Sequence, residues 1–318
     1  MVKTRCVIAS NAPSNYLASL SQAPATGDLP SRLSRTSAPR HLTNMPKVWF
    51  ITGSSRGLGR AIVDAALASG ASVVATARSP ESLRPLAEQF GPDRFLALRL
   101  DVTKESEVAS AIDAAHKQFG RIDVVVNNAG HTSIAALEDM ETREFQQLID
   151  TNFMGVVHVT KAAIPVLRKQ GAGHIFQVSS LGDRMGVPGL SAYLGAKWAV
   201  TGFSMAVAEE LAPLGIRVTV LEPRTIRTGW AGPAMEMPVI SAPYKPTVGA
   251  MAGMFQQMVG HEDTPPEKIA QIIVDLSNSE DVPLRLVLGP QAVVFAMQSA
   301  KALAESDQKW RELSLSCM

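Results

Sequence analysis

The sequence contains little cysteine, almost no net charge and no long hydrophobic run. Its 318 residues include two cysteines, one near each end, which argues against a disulfide framework or a cysteine-based metal site. The net charge of +1 lacks the basic excess typical of nucleic-acid-binding proteins, so we expect no nucleic-acid partner. No stretch approaches the roughly 18 uninterrupted apolar residues of a membrane span. The six histidines are scattered without ligand spacing, so we expect no metal.

The first 44 residues differ in composition from the rest of the chain. They are rich in Ser, Ala and Pro and contain one acidic residue, Asp28, against several basic ones. The basic residues are Lys3, Arg5, Arg32, Arg35 and Arg40. Such a segment is typical of a mitochondrial transit peptide, but its prolines interrupt any long amphipathic helix and favour a disordered tail. We therefore predict a disordered or targeting extension over 1–45 and a cytoplasmic protein, with a mitochondrial location as the alternative if residues 1–44 act as a transit peptide.

From residue 46 onward, short apolar runs alternate with helical segments. The runs are nearly continuous in apolar residues, as strands buried on both faces are. They cover 48–51, 72–77, 95–100, 124–126, 174–178, 217–221 and 284–288, and the helical segments cover 58–68, 105–119, 142–169 and 191–211. This alternation predicts an α/β fold, a single Rossmann-type doubly wound parallel sheet flanked by helices on both faces, in one domain over 46–318. We expect Pro165 to kink or end the helix that contains it.

A glycine-rich turn follows the first apolar run, where the first helix begins. Gly53, Gly57 and Gly59 have the spacing G-x-x-x-G-x-G. Because these residues lack side chains, a pyrophosphate can approach the backbone N–H groups and the positive end of the helix. A plain strand-to-helix turn is the alternative. Together with the motifs below, the turn predicts cofactor binding by Gly53, Ser55, Arg56, Gly57, Leu58 and Gly59.

The end of the second strand indicates which nicotinamide cofactor is bound. NAD sites usually offer a carboxylate here for the ribose 2′-hydroxyl, whereas NADP sites offer a cation for the 2′-phosphate. This strand ends in Arg78, with no acid beside it. Arg78 and Arg56 could clamp the phosphate from two sides, unless both are solvated surface residues. We therefore predict NADP(H) as the cofactor.

The third and fourth strands end in further candidate contacts to the cofactor. Asp101 and Val102 follow the third strand, where the acid could accept a hydrogen bond from the adenine amino group or could instead cap a helix. Asn128, Ala129 and Gly130 follow the fourth. Small residues here would let the backbone lie against the cofactor, although such a run could also be a simple turn.

Tyr193 and Lys197 lie four residues apart in the last of these helical segments, so their side chains can point into one site. Ser180 precedes the tyrosine in the chain, at the end of the fifth strand. Its spacing to Tyr193 favours Ser180 over its neighbour Ser179 as a partner. The alternative is an exposed helical pair beside an ordinary strand-end serine.

The order of these motifs resembles the short-chain dehydrogenase/reductase family over about residues 46 to 300. The resemblance rests on the glycine turn, Asn-Asn-Ala-Gly, the serine, Tyr-x-x-x-Lys and a following proline segment. It implies that Ser180, Tyr193 and Lys197 are catalytic, that the last two also contact the cofactor, and that Asn152 completes a tetrad. It also implies a homodimer or homotetramer built by the helices around 142–165 and 191–211.

These residue types fit the reduction of a carbonyl, which needs a hydride at carbon and a proton at oxygen. Tyr193 would donate the proton, and we expect the ammonium of Lys197 to lower the pKa of the phenol from near 10. Ser180 would polarise the substrate oxygen. Lys197 would also hold the nicotinamide ribose, and Asn152 would support a water that passes protons to Lys197.

One position departs from the family pattern. Pro223 is followed by Arg224, where the family commonly has a glycine that permits close approach. Arg224 could shift the loop, contact an acidic substrate group or point to solvent. Pro223, Ile226 and Thr228 are the candidate contacts near the nicotinamide.

Residues 229 to 265 form a long insertion of low periodicity, which we expect to cover the active site as a lid. Methionines in such a segment adapt to varied apolar shapes, although core filler or a subunit contact is the alternative. The large apolar residues are Trp230, Met235, Met237, Tyr244, Met251, Met254, Phe255 and Met258.

We therefore predict an NADP(H)-dependent oxidoreductase that interconverts a ketone or aldehyde and an alcohol on a medium-sized, largely apolar substrate. Its partner would be this small carbonyl or alcohol molecule. The alternatives are an oxidative dehydrogenase of hydroxysteroids, retinoids or a natural-product intermediate, and a non-catalytic NADP-binding sensor.

Overall fold

A computed structural model of the chain describes residues 46–227, 239–258, 260, 262 and 264–317. The predictions for the extension over 1–45, for Thr228 and for the lid residues Trp230, Met235 and Met237 fall outside these ranges. Among the described helices, none combines the length and the apolar character that crossing a membrane requires.

The described chain forms one parallel sheet of seven strands, which confirms the predicted fold class. Each predicted apolar run is a strand, and every strand pairing is parallel. The spatial order is β3-β2-β1-β4-β5-β6-β7. The strands are β1 (Val48–Thr52), β2 (Ser72–Ala77), β3 (Phe95–Arg99), β4 (Val124–Asn127), β5 (Gly173–Val178), β6 (Ile216–Pro223) and β7 (Arg285–Leu288).

Helices connect the strands and cover both faces of the sheet. On one face, Trp49 and Ile51 of β1 pack in a cluster with residues of the first and eighth helices. On the other face, Phe50 packs with residues of the third, fifth and sixth helices. The helices are α1 (Gly57–Ala68), α2 (Arg84–Phe90), α3 (Glu105–Phe119), α4 (Thr142–Ile149), α5 (Gly155–Gln170), α6 (Ser191–Leu211), α7 (Ala250–Met258), α8 (Pro266–Asn278) and α9 (Pro290–Leu315).

Successive side chains of a strand point to opposite faces, so a strand covered by helices on both sides needs apolar residues at every position. All five residues of β1 are buried, as this requires. The chain winds outward from β1 in both directions, with β2 on one side and β4 on the other. In such a sheet a crevice opens at the carboxyl ends of the strands where the winding reverses, here beside β1 and β4.

The helix predicted over 142–169 differs from the expectation in two ways. A π-helical turn, Asp150–Met154, separates α4 from α5. Pro165 lies inside α5, which continues to Gln170, so the proline does not end the helix, and the kink stays a prediction. Proline removes the hydrogen bond to the carbonyl of Lys161, and both residues lie on the exposed side of the helix. Solvent can bind the freed carbonyl there, which lowers the cost of a proline inside a helix.

The described part of the predicted lid is largely helical. After residue 239 the chain forms a 3-10 turn (Ala242–Tyr244), a π-helical turn (Lys245–Gly249) and α7. At the far end of the lid, Thr264 bridges to Ile226, and its carbonyl accepts a hydrogen bond from the N–H of Arg227 at 3.1 Å. The segment therefore begins and ends next to the carboxyl edge of the sheet.

Candidate active site

The glycine turn between β1 and α1 is folded tightly on itself. Gly53 and Gly57 have positive φ angles of +67° and +58°, a conformation that favours glycine. A Cβ at Gly59 would overlap the carbonyl oxygen of Gly53, so position 59 requires glycine on steric grounds. The first turn of α1 contains no acidic residue and Arg56 caps it without a side-chain hydrogen bond. Its N-terminal N–H groups can therefore bind an anion.

Asn128 holds this turn from the neighbouring strand β4. Its side-chain amide donates to the carbonyl oxygens of Thr52 and Gly53 at 2.9 and 3.1 Å. The hydroxyl of Thr52 accepts the backbone N–H groups of Asn128 and Ala129, both at 3.0 Å. Thr52 is thus a supporting residue that sequence reasoning missed, since it appears there as one more residue of a buried strand.

Arg56 and Arg78 are both exposed and both line the same cleft. Asp101 lies in this cleft too, and its carboxylate accepts the N–H and the hydroxyl of Thr103 at 3.0 and 2.8 Å. Lys104, not Asp101, occupies the N-cap of α3. Burial would raise the pKa of Asp101, but the bonds from Thr103 and the charges of Lys104 and Arg78 outweigh it and lower the pKa. The carboxylate therefore stays ionised in the cleft.

Tyr193 and Lys197 are buried, with 9% and 5% of their surfaces exposed, so they are not an exposed helical pair. The hydroxyl groups of Tyr193 and Ser180 are hydrogen-bonded to each other. The ammonium of Lys197 donates to the carbonyl of Val178 at 2.8 Å and lies 5.6 Å from the centre of the Tyr193 ring. The three predicted catalytic side chains therefore meet at one end of the cleft.

The expected lowering of the tyrosine pKa does not occur in the protein alone. Burial raises the pKa of Tyr193 to about 12, and the charge of Asp183 adds to the effect, while the bond with Ser180 opposes it. Burial lowers the pKa of Lys197 to about 8, partly offset by Asp183. Burial therefore disfavours the charged form of both groups, an effect that residue spacing does not reveal.

The two neighbouring serines have different partners. The hydroxyl of Ser179 is buried in the protein interior, where it donates to Asp183 at 2.8 Å and lies 3.1 Å from the hydroxyl of Thr201. Ser180 bonds to Tyr193 and also accepts the N–H of Gly182 at 3.1 Å. The geometry thus agrees with the choice of Ser180 as the partner of the tyrosine.

Asn152 is fully buried in the π-helical turn between α4 and α5. Its side chain donates to the carbonyl groups of His131 and Leu148 at 2.9 and 3.0 Å and accepts the N–H of His131 at 3.0 Å. A Cβ at Gly130 would lie 2.5 Å from the side-chain oxygen of Asn152 and 3.8 Å from the ammonium of Lys197. Asn152 thus shapes the backbone beside Lys197, and its part in a water relay stays a prediction.

Arg224 points toward α9. Its guanidinium donates to the side-chain oxygen of Gln291 at 2.6 Å and stacks 5.3 Å above the ring of Phe295. Arg224 also lines the cleft, with Pro223 and Ile226. This arrangement differs from the three that were considered from the sequence. It could not be predicted, because nothing in the local sequence pattern indicates that α9 lies next to this loop.

The lid supplies an apolar wall beside Tyr193. Val248 and Ala252 are buried in a cluster with Tyr193, Ile134 and Leu190. The described lid methionines do not belong to this cluster, and Met254 is 55% exposed. The apolar wall therefore consists of aliphatic and aromatic side chains, and a role of the lid methionines in substrate binding stays a prediction.

Two acidic residues anchor the start of the lid. The backbone N–H of Ser241 donates to the carboxylate of Asp139 at 2.9 Å, and the hydroxyl of Tyr244 donates to Glu138 at 2.7 Å. Both acids lie in the segment that leads from β4 to α4. The lid is thus attached to the same loop region that carries Ile134 of the apolar wall.

One cleft of about 310 Å³ contains every predicted site residue within the described ranges. From the glycine turn it includes Gly53, Ser55, Arg56, Gly57, Leu58 and Gly59, and from the other strand ends Arg78, Asp101, Val102, Asn128, Ala129, Gly130, Pro223 and Ile226, together with Asn152, Ser180, Tyr193 and Lys197. Sequence reasoning missed His131 and Thr132, which also line it. Their only signal is that they directly follow the Asn-Asn-Ala-Gly motif.

Comparison with known proteins agrees with this architecture. Residues 47–238 match the family model described as short chain dehydrogenase. Oxidoreductase BOA17 of Botryotinia fuckeliana is 54% identical over 271 residues, which are 85% of this chain and 99% of that protein. A short-chain dehydrogenase from Streptomyces avermitilis has 34% identity and a TM-score of 0.80, covering 86% of this chain and 100% of the other.

A further solved structure is an alcohol dehydrogenase from Thermococcus sibiricus complexed with 5-hydroxy-NADP. It has 27% identity and a TM-score of 0.64. The alignment covers 77% of this chain and 96% of that one.

Proposed function

The chain belongs to the short-chain dehydrogenase family and is an oxidoreductase, and we propose that it uses NADP(H) to interconvert a ketone or aldehyde and an alcohol on a medium-sized, largely apolar substrate. The observation that carries this proposal is the meeting of Ser180, Tyr193 and Lys197 at one end of the cleft that begins at the glycine turn.

The residues at the other end of the cleft fit a dinucleotide. The N-terminus of α1 offers N–H groups without an acidic neighbour, and Gly53 and Gly59 leave no room for side chains. When bound there, the cofactor would supply or accept the hydride. The protein's own task is then to bind the substrate oxygen, to exclude water and to move one proton.

Tyr193 is the group that moves this proton. Its neutral phenol donates to the substrate oxygen during reduction, and its raised pKa keeps the proton in place until a negative charge develops on that oxygen. Ser180 binds the same oxygen and polarises it. Lys197 stabilises the phenolate that remains, as its ammonium is 5.6 Å from the ring centre.

The preference for NADP(H) is proposed from the two arginines at the mouth of the cleft. Arg78 follows the buried strand β2 directly, at the position where a carboxylate would favour NAD. Arg56 belongs to the glycine turn, and both arginines line the cleft. Two guanidinium groups can bind a 2′-phosphate with several charge-assisted hydrogen bonds.

The substrate class is proposed from the wall beside Tyr193. Val248, Ala252, Ile134 and Leu190 pack with the tyrosine in one buried apolar cluster. The free energy falls when an apolar substrate leaves water and packs against such a wall. A charged sugar would instead lose its hydration without gaining a polar or charged partner.

We would test the proposal by titrating the purified protein with NADPH and with NADH, and then following NADPH oxidation across a panel of apolar ketones and aldehydes. Tyr193→Phe is the matched variant, since it removes one hydroxyl and keeps the ring. We expect NADPH to bind both proteins and only the wild type to turn over. Binding without turnover by the wild type on the full panel would favour a sensor, and absence of nucleotide binding would refute the proposal.

A further inference from the structure

Four charged residues form a chain of ion pairs behind the catalytic side chains. They are Asp183 and Arg184, from the short 3-10 turn after Ser180, Glu222 of β6 and Arg285 of β7. The side chains of both acids are fully buried, whereas the arginines keep about a quarter of their surface exposed. Buried carboxylates cost free energy unless they are paired and hydrogen-bonded.

The chain of pairs satisfies both carboxylates. Glu222 is held between the guanidinium groups of Arg184 and Arg285. Arg285 also donates to Asp183 at 3.2 Å. The other oxygen of Asp183 accepts the hydroxyl of Ser179 at 2.8 Å and the hydroxyl of Thr201.

Asp183 thereby connects the two segments that carry the catalytic residues. Ser179 directly precedes Ser180, and its hydroxyl lies 3.2 Å from the backbone carbonyl of Lys197. Thr201 lies one helical turn after Lys197 on α6. The N–H of Asp183 also donates to the carbonyl of Ser180 at 3.0 Å. A movement of Asp183 would therefore change the position of Ser180 relative to Lys197.

The two carboxylates and the two guanidinium groups of this ion-pair network together carry no net charge. Lys197 therefore adds a further buried positive charge to the site. Its ammonium donates to a neutral carbonyl, that of Val178, and burial disfavours its charged form. The negative charge of Asp183 opposes this effect on Lys197. Burial and the charge of Glu222 raise the pKa of Asp183 itself, against hydrogen bonds from Thr201 and Ser179 and the charge of Arg285.

We propose that Asp183 is a positioning residue of the active site: its buried carboxylate, bonded to Ser179 and Thr201, holds the Ser179–Ser180 segment against α6 and places a negative charge one turn of α6 from Lys197. The inference deepens the proposed function, on which it rests, because a charged Lys197 is what stabilises the tyrosinate. A purely structural Asp183 would affect folding and leave the ionisation of Lys197 unchanged.

The test is a pH titration of Lys197 by NMR on protein labelled with 13C at the lysine Cε atoms, with Lys197→Met identifying the resonance. We expect a midpoint near the pKa of about 8 in the wild type. In Asp183→Asn it should fall by about one unit, a tenfold change in the protonation equilibrium. The control Asp275→Asn removes an exposed carboxylate of α8 and should leave the midpoint in place.

Asp183→Asn removes one of the two acidic partners of Arg285, which lowers the stability of the fold. The double variant Asp183→Asn/Arg285→Gln removes both charges and leaves Glu222 paired with Arg184, so it keeps the test informative. We expect the Lys197 midpoint to fall again, by less than in Asp183→Asn, because a positive charge is lost together with the negative one. An unchanged midpoint in either folded variant, or an equal fall in Asp275→Asn, would overturn the inference. The titration needs neither cofactor nor substrate, so its result is independent of whether the protein reduces a carbonyl.

Discussion

Gly59 packs directly against Gly53, so that a side chain at position 59 would overlap the carbonyl oxygen of residue 53 and approach the amide of Asn128. This contact brings the start of α1 against the end of β1 and shapes the turn in which we place the pyrophosphate. It also leads to the first prediction.

Gly59→Ala should weaken NADPH binding at least about tenfold, or 1.4 kcal/mol, because the turn must open to admit the methyl group. It should also lower the melting temperature. Gly202→Ala is the matched control, since no atom lies within 4 Å of a Cβ there and alanine is the better helix former. Fluorescence titration and thermal melting measure both effects. Equal NADPH affinity in the two variants would contradict this account of the turn.

Arg78→Ala should weaken NADPH binding by roughly 10- to 100-fold, the range expected for the loss of hydrogen bonds to a charged group. NADH affinity should stay unchanged, because NADH has no 2′-phosphate. Arg60→Ala is the control: Arg60 pairs with Asp64 on α1 and does not line the cleft. Parallel titrations measure the affinity of each variant for NADPH and for NADH. An equal loss of NADH affinity in Arg78→Ala would contradict the proposed NADP preference.

The Tyr193 phenol should remain neutral at pH 10 in the protein without ligands, where an ordinary tyrosine is half ionised. Burial, aided by Asp183, raises its pKa to about 12. The chain has three tyrosines, so 13C labelling at the tyrosine Cζ atoms gives few resonances, and Tyr193→Phe identifies the relevant one. Ser180→Ala should raise the pKa further, since the bond with Ser180 lowers it. A Tyr193 signal that titrates near pH 10 would show that the phenol is less buried than described.

The protein should lose stability as the pH falls below about 6.5, in part because of His174. Burial, with the charges of Arg217 and Lys47, lowers the pKa of this residue to about 3. Between these pH values the unfolded chain binds a proton that the folded protein excludes, so acid favours unfolding by up to roughly 1.4 kcal/mol per pH unit. Denaturant unfolding at pH 7 and pH 5 measures the loss.

In His174→Gln this dependence on pH should be weaker, because glutamine does not ionise. The variant is expected to be less stable at pH 7, since His174 bonds to the hydroxyl of Thr219 at 2.9 Å and packs against Phe176. His116→Gln serves as a control for the loss of a histidine elsewhere. The same pH dependence in wild type and His174→Gln would rule out His174 as the cause.

Val248→Asn should raise the KM for apolar carbonyl substrates and leave NADPH affinity unchanged. The substitution buries an unpaired amide in the apolar cluster around Tyr193, which costs about 1–3 kcal/mol of folding stability and displaces the packing beside the tyrosine. Val239→Asn, at a position in the same lid that is 91% exposed, should leave KM as it is. Steady-state kinetics on one substrate compare the three proteins. A raised KM in both variants would point to the lid as a whole rather than to the wall.

Much of the fold and of the cleft could be predicted from the sequence because the signals are local. Each strand buried on both faces is a continuous apolar run, and each strand end in a parallel sheet lies at the same edge. Gly53, Gly57 and Gly59 are visible because only glycine tolerates the φ angles and close contacts of such a turn. The helical spacing of Tyr193 and Lys197 likewise places both side chains on one face of α6.

Other features depend on which segments meet in space. Pro165 is tolerated inside α5 because that side of the helix faces solvent. The described part of the lid contains helical turns and α7 where low periodicity suggested a loop, and its residues Val248 and Ala252 pack in one cluster with Tyr193. Arg224 stacks on Phe295, which is far away in sequence.

The sequence by itself determined the order of strands and helices, the glycine turn and the candidate catalytic side chains, because these depend on backbone sterics and on residue spacing within one element. Only the tertiary structure decided the ionisation of the site. Residue spacing suggested that Lys197 lowers the pKa of Tyr193, but burial raises it and also lowers the pKa of Lys197. Burial and the approach of Asp183 arise when the turn after β5 packs against α6, since the free energy of a charge depends on everything that surrounds it.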